Sequence, residues 1–152
     1  MFNRRYTLLV VTAIFLDQLT KWWAVHALNR FDAWVVIPKL LEFQLVFNTG
    51  AAYGLFLNQR VFLSIVAGLV IIGAIWFQRY FNHSIFSRLG ICFVLAGAWG
   101  NWIDRLRLGY VVDFINIHIF PVFNVADMCI DLGLALLLAD LIWGHRGANQ
   151  KS

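Results

Sequence analysis

Apolar residues fall into four long runs along this chain, and most of these runs carry a small polar motif. The runs cover about Tyr6–Leu28, Val61–Tyr80, Ile85–Arg105 and Val125–Trp143. A helix needs about 20 residues to cross bilayer hydrocarbon, so the pattern predicts four transmembrane helices. Val61–Phe77 carries no charge, whereas the first run contains Asp17, Gln18, Thr20 and Lys21. Between the first two runs, Leu41–Phe47 starts with polar alternation and is rich in β-formers, which predicts a short strand. Asn48-Thr49-Gly50 follows as a turn signal, and Ala51-Ala52-Tyr53-Gly54 offers small residues where a backbone or ligand can approach. The expected fold is an all-α polytopic membrane protein of one domain, residues 1–152. It has four transmembrane helices and a small extracytoplasmic β-sheet or cradle between helices 1 and 2, lying on the membrane. Extracytoplasmic segments span about 29–60 and 106–124; the second reads as a short apolar loop entered through Gly109 and left at Pro121.

Composition supports the membrane reading. The chain is 61% hydrophobic and 13% charged, with a mean hydropathy of +0.73. Soluble domains are about 45–50% apolar. The net charge of +4 is scattered, and no basic stripe points to nucleic acid. Arg4 and Arg5 precede run one, Arg79 and Arg88 flank the link between runs two and three, and Arg146 and Lys151 follow run four. The positive-inside rule then puts both termini in the cytoplasm. The opposite side holds Arg30, Lys39, Arg60, Arg105 and Arg107, but spread over longer segments. Run one is interrupted by Asp17 and Lys21 and has no clean A-x-A-like site, so it reads as retained rather than as a cleaved leader. Trp22, Trp23, Trp34, Trp76 and Trp143 fall near run ends, as an interfacial aromatic belt would place them. Cys92 and Cys129 lie within runs without Cys/His spacing, so they read as buried thiols and no metal or cofactor is indicated.

The chemistry lies in the acids. A carboxylate at bilayer depth costs roughly 2.5–3.5 kcal/mol on insertion scales. Asp113 sits in Val112-Asp113-Phe114-Ile115 and Asp127 in Phe123-Asn124-Val125-Ala126-Asp127. Each also has a plain structural reading. Asp113 could be a turn residue, and Asp127 a first-turn acid behind an Asn124 N-cap. Brought together, two carboxylates share a proton: one takes a proton from water while the other donates to a carbonyl oxygen. Asp17 and Lys21, four apart on a helix, pair either to neutralise one another or to brace a site between helices, with Gln18 pointing elsewhere. Gly97-Ala98-Trp99-Gly100-Asn101-Trp102-Ile103-Asp104-Arg105 combines small residues for close helix packing with a polar face of Asn101, Asp104 and Arg105. Asp131 is one turn beyond Asp127 and could couple to its titration. Asp140 is near the cytoplasmic end. No serine stands in a motif that suggests an activated nucleophile.

These motifs, in this order, resemble lipoprotein signal peptidase, the type II signal peptidase. The set comprises Asp17-Gln18-x-Thr20-Lys21, Phe47-Asn48-x-Gly50-Ala51-Ala52, Gly97-Ala98-x-Gly100-Asn101-x-x-Asp104-Arg105, Val112-Asp113-Phe114-Ile115 and Phe123-Asn124-x-Ala126-Asp127. The resemblance spans most of the chain. It implies an aspartic endopeptidase of the bacterial cytoplasmic (inner) membrane, with its active site near the extracytoplasmic face. Its substrate would be a diacylglyceryl-modified prolipoprotein, cut before the lipidated cysteine. Asp113 and Asp127 would be the catalytic dyad. Asn48, Gly50 and Arg105 would hold substrate, and Asn101 and Asn124 would support the dyad. Asp17, Lys21 and Asp104 would be structural polar residues. Membrane lipids and globomycin-type cyclic lipopeptides would be further ligands, and a monomer suffices. The segment between Asp113 and Asp127 is short, and Trp99 and Trp102 make the third motif bulky. Two other readings compete: a proton relay through Asp17, Asp104, Asp113 and Asp127, and a non-catalytic lipid-binding scaffold.

Overall fold

The computed structural model describes residues 4–50, 59–78 and 84–148. The elements run α1 (Arg4–Ala27), β1 (Trp34–Ile37), β2 (Leu41–Asn48), α2 (Arg60–Phe77), α3 (Ile85–Arg107), β3 (Val111–Asn116) and α4 (Val125–Ala148). The four helices coincide with the four apolar runs. Among the described residues, one helix, Arg4–Ala27, is long and apolar enough to cross a bilayer by length and composition, and Val61–Phe77 is a shorter apolar helix. The expected Ala51–Gly54 approach and the bases Arg79 and Lys151 lie outside the described residues.

The sheet corrects the sequence reading in one respect. It is three-stranded and antiparallel in the order β1-β2-β3, and its third strand comes from the segment between α3 and α4 that reads as a loop. Asp113 is therefore a strand residue opposite Val46, not a turn residue. Val112 and Phe114 point the other way, into a core with Leu45 and with Ala24 and Leu28 of α1. Trp23 stands edge-on to Phe43 at 5.3 Å and to Phe114 at 6.1 Å between ring centroids. Those rings fasten the sheet to the end of α1. The period of two then leaves Asp113 on the opposite face.

Small residues bring α3 against α4 and α1. A methyl group built on Gly97 would run into the Ala126 carbonyl, and one on Gly100 would lie 2.5 Å from Asp17 Oδ2. Gly90 and Gly133 face one another lower in the same seam, each blocked by the other's carbonyl oxygen. Such contacts let polar side chains of three helices meet without a gap. Gly97→Ala is expected to destabilise the protein by about 1–3 kcal/mol, because a backbone must yield. Gly73 has nothing within 4 Å of its would-be Cβ, so Gly73→Ala should be neutral or stabilising by up to about 1 kcal/mol. Thermal unfolding of the two variants in detergent checks the contrast.

Helix α3 ends as its sequence predicts. Gly109 adopts φ 87°, and its N–H donates to the Arg105 carbonyl. Only glycine takes that conformation without strain, and it turns the chain back into β3. At the other end of α3, Ser84 and Ser87 form a reciprocal cap, and the Ser84 hydroxyl donates to Asp140 of α4. Asp140 thus ties the start of α3 to α4.

Candidate active site

A cleft of about 700 Å³ opens between β3, the ends of α3 and α4 and the segment joining β3 to α4. Asn48, Asn101, Arg105, Asp113, Asp127 and Asp131 line it, with an apolar wall that includes Ile117, Phe120, Val122 and Met128. The two candidate aspartates are thus brought to one cavity.

Each carboxylate is held by asparagine. Asn124 Nδ2 donates to Asp113 Oδ1 at 2.6 Å, and Asn48 Nδ2 donates to Asp113 Oδ2 at 2.9 Å. Asn101 Nδ2 donates to Asp127 Oδ1 at 2.8 Å. Asn124 Nδ2 also donates to Asn101 Oδ1 at 3.2 Å, so the amides join the two acids in one chain of hydrogen bonds. Asn124 does cap α4: its Oδ1 accepts the Asp127 N–H, and Asp127 Oδ2 accepts the Asn124 N–H. The first-turn role of Asp127 is real, and its other oxygen still faces Asn101. Asn48 Oδ1 accepts the Gly50 N–H at 2.9 Å, which orients its amide group toward Asp113. Arg105 reaches the Gly50 carbonyl and the Asn101 carbonyl, each at 3.5 Å. Gly50 is buried at this junction.

Strand β3 and helix α4 are clipped together next to the site. Phe123 forms a bridge to Ile115, with hydrogen bonds of 2.8 and 3.0 Å between their backbones. Asn124 therefore enters α4 directly beside Asp113. Burial, and after it the neighbouring charge of Asp127, pushes the Asp113 carboxyl from its ordinary 3.8 up to about 7.

Behind the cleft lies a second polar cluster built on Lys21. Its ammonium meets Asp17 Oδ2 at 2.9 Å, Asp104 Oδ2 at 2.9 Å and Asn101 Oδ1 at 3.0 Å, which uses all three of its hydrogens. Asp17, Lys21 and Asp104 are each no more than 3% exposed. Asp17 Oδ1 accepts the Ala126 N–H at 2.8 Å, so the first helix caps the fourth one residue before Asp127. Asp104 Oδ2 also accepts the Val112 N–H at 3.2 Å, one residue before Asp113. The cluster thus grips the backbone beside both aspartates. Asp17 and Lys21 brace the site as well as neutralise each other.

Gln18 does not point elsewhere. Its amide donates to Asp104 Oδ1 at 2.9 Å and reaches Asp17 Oδ2 and the Gly100 carbonyl, each at 3.2 Å. A helical wheel puts it about 100° from Asp17, but a long side chain beside Gly100 spans that angle. An amide inside an apolar run was the signal for it. Thr20 turns inward on its own helix, donating to the Leu16 and Asp17 carbonyls. Trp102 donates to the Ser64 carbonyl at 2.9 Å and packs edge-on against Trp99, so the bulky residues of this motif dock α2. Among the described residues no group of His, Cys, Asp and Glu is arranged to hold a metal.

The chain is similar to known proteins over most of its length. The family model for signal peptidase (SPase) II matches residues 9–143. A lipoprotein signal peptidase of Acinetobacter baumannii is 45% identical over 141 residues, covering 87% of this chain and 80% of that protein. One of Clostridium novyi is 37% identical over 141 residues, covering 89% and 95%. A solved bacterial membrane enzyme superposes with a TM-score of 0.85 at 32% identity, over 93% of this chain and 89% of that one. A second gives 0.83 at 31%, over 93% and 95%.

Proposed function

The chain belongs to the signal peptidase II family, and from that premise we propose that it is an aspartic endopeptidase of the bacterial inner membrane. It removes the signal peptide from diacylglyceryl-modified prolipoproteins, cutting before the lipidated cysteine. The observation that carries the mechanism is the convergence of Asp113 and Asp127 on one cleft, joined through Asn101 and Asn124. Asp113, held up at about 7, carries the shared proton and donates it to the scissile carbonyl oxygen. Asp127 takes a proton from the attacking water. The tetrahedral intermediate then collapses as a proton passes to the leaving amine. Arg105 and Asn48, at the mouth of the cleft, bind the peptide backbone.

All four helices cross the membrane in this reading, with both termini cytoplasmic and the cleft at the extracytoplasmic face. Support comes from the apolar residues that α1 and α2 leave uncovered, among them Leu8, Phe15, Ile65, Leu69 and Ile72. Trp22, Trp34 and Trp76 are also exposed, as interfacial rings would be. A proton relay is less favoured, because Asp17 and Asp104 are locked on Lys21.

The test is purified protein in detergent with a diacylglyceryl-modified peptide and a chelator. Mass spectrometry should find cleavage before the lipidated cysteine; no cleavage at any site would reject the reading. The rate should also fall above about pH 7, as Asp113 gives up its proton. The Asn48 hydrogen bond favours the ionised form of Asp113. Asn48→Ala should therefore move the alkaline limb of kcat/KM to higher pH, and a shift to lower pH would contradict that placement of the proton.

A further inference from the structure

Among the acids that line the cleft, Asp131 is the one that the dyad leaves out, and the Lys21 cluster does not use it either. It lies in α4 four residues beyond Asp127, so it follows Asp127 by one turn on the same face, about 6 Å along the axis. It lines the cleft and is exposed there. Neither of its oxygens takes part in a hydrogen bond or ion pair with any described residue. The cleft lining also includes the apolar Met128 and Ile130 of the same helix and Val122 of the segment before it. A carboxylate in such a place is costly in a bilayer and does nothing for the fold.

We propose that Asp131 is a specificity-determining residue. It reads a hydrogen-bond donor on the signal-peptide side chain that lies against it. The inference rests on the peptidase reading. The scissile bond sits at the extracytoplasmic end of α4, and the signal peptide runs from there back through the bilayer. Its residues before the cut therefore pass along the cleft toward Asp131. Over about 6 Å, an extended chain advances roughly two residues and a helical chain four. The side chain facing Asp131 thus comes from the second to fourth position before the scissile bond. An apolar side chain there covers the carboxylate without satisfying it. A hydroxyl of the same shape donates to it, and a hydrogen bond to a charged group separates the two by about tenfold or more.

The experiment uses diacylglyceryl-modified peptides with Thr or its isostere Val at the second, third and fourth positions in turn. They are cleaved by wild type, Asp131→Asn and Asp131→Leu. The expected result is one position at which wild type prefers Thr by about tenfold in kcat/KM. Asp131→Asn, still an acceptor, keeps part of the preference, and Asp131→Leu loses it and gains on the Val peptide. Because Asp131 is exposed, Asp131→Leu should fold, which its thermal unfolding checks. Wild type that cleaves Thr and Val peptides alike at every position overturns the inference while leaving the peptidase intact. So does a preference that survives in Asp131→Leu. Wild type that cleaves none of the peptides overturns the peptidase reading, and this inference with it.

Discussion

Asp113→Asn and Asp127→Asn should each lower the cleavage rate by roughly 10⁴-fold, with the protein still folded. In the proposed mechanism the two acids act on one proton, so removing either removes the whole acid–base couple rather than half of it. Asparagine keeps the shape and at least one acceptor. At Asp127 its one oxygen can still accept the N–H of Asn124 or the amide of Asn101, but its NH2 then faces the other donor. A modest fall in melting temperature is therefore expected beside the loss of rate. Single-turnover rates on matched amounts of folded protein separate the two effects. Activity that survives in either variant would remove that aspartate from the mechanism. Asp104 is a poor substitute, because Lys21 and the Val112 N–H hold one of its oxygens and Gln18 the other.

Lys21→Met should be the most damaging change away from the cleft, costing about 3–5 kcal/mol. It leaves Asp17 and Asp104 buried with no counter-charge and Asn101 Oδ1 short of a donor. Asn101 then loses part of what orients it toward Asp127. Thermal unfolding in detergent measures the loss. Neutralising the stranded acids in the triple variant Lys21→Met/Asp17→Asn/Asp104→Asn should recover part of it. If Lys21→Met unfolds like wild type, the ammonium is not what holds α1 to α3.

The four helices were legible because each apolar run is long and bounded by turn residues or bases. The candidate dyad was legible because acids are conspicuous in so apolar a chain. Strand β3 was not. Val111–Asn116 is short and lacks strict alternation, with Val-Val and Phe-Ile on either side of Asp113, and its pairing partner β2 lies more than sixty residues earlier. No local pattern distinguishes such a strand from an apolar loop. The Asp17–Lys21 pair was visible at its helical spacing, but Asp104, the second acid on Lys21, was not. That contact depends on the close approach of α3 to α1 at Gly100. Gln18 was misjudged for the same reason, since a wheel drawn on one helix ignores how near its neighbour comes.

The Phe123–Ile115 bridge has a consequence for how this chain could diversify. It closes residues 116–122 into a loop whose two ends are pinned in register, with Asp113 before one end and Asp127 after the other. The loop tip carries Ile119, 77% exposed, and Phe120, 56% exposed. Lengthening a closed loop twofold costs only about 0.6 kcal/mol in entropy. Insertions at 118–120 would thus reshape the rim that substrates meet without moving the reacting groups. On the proposed mechanism the segment would serve as an exchangeable cassette on a fixed chassis, open to grafting in the laboratory.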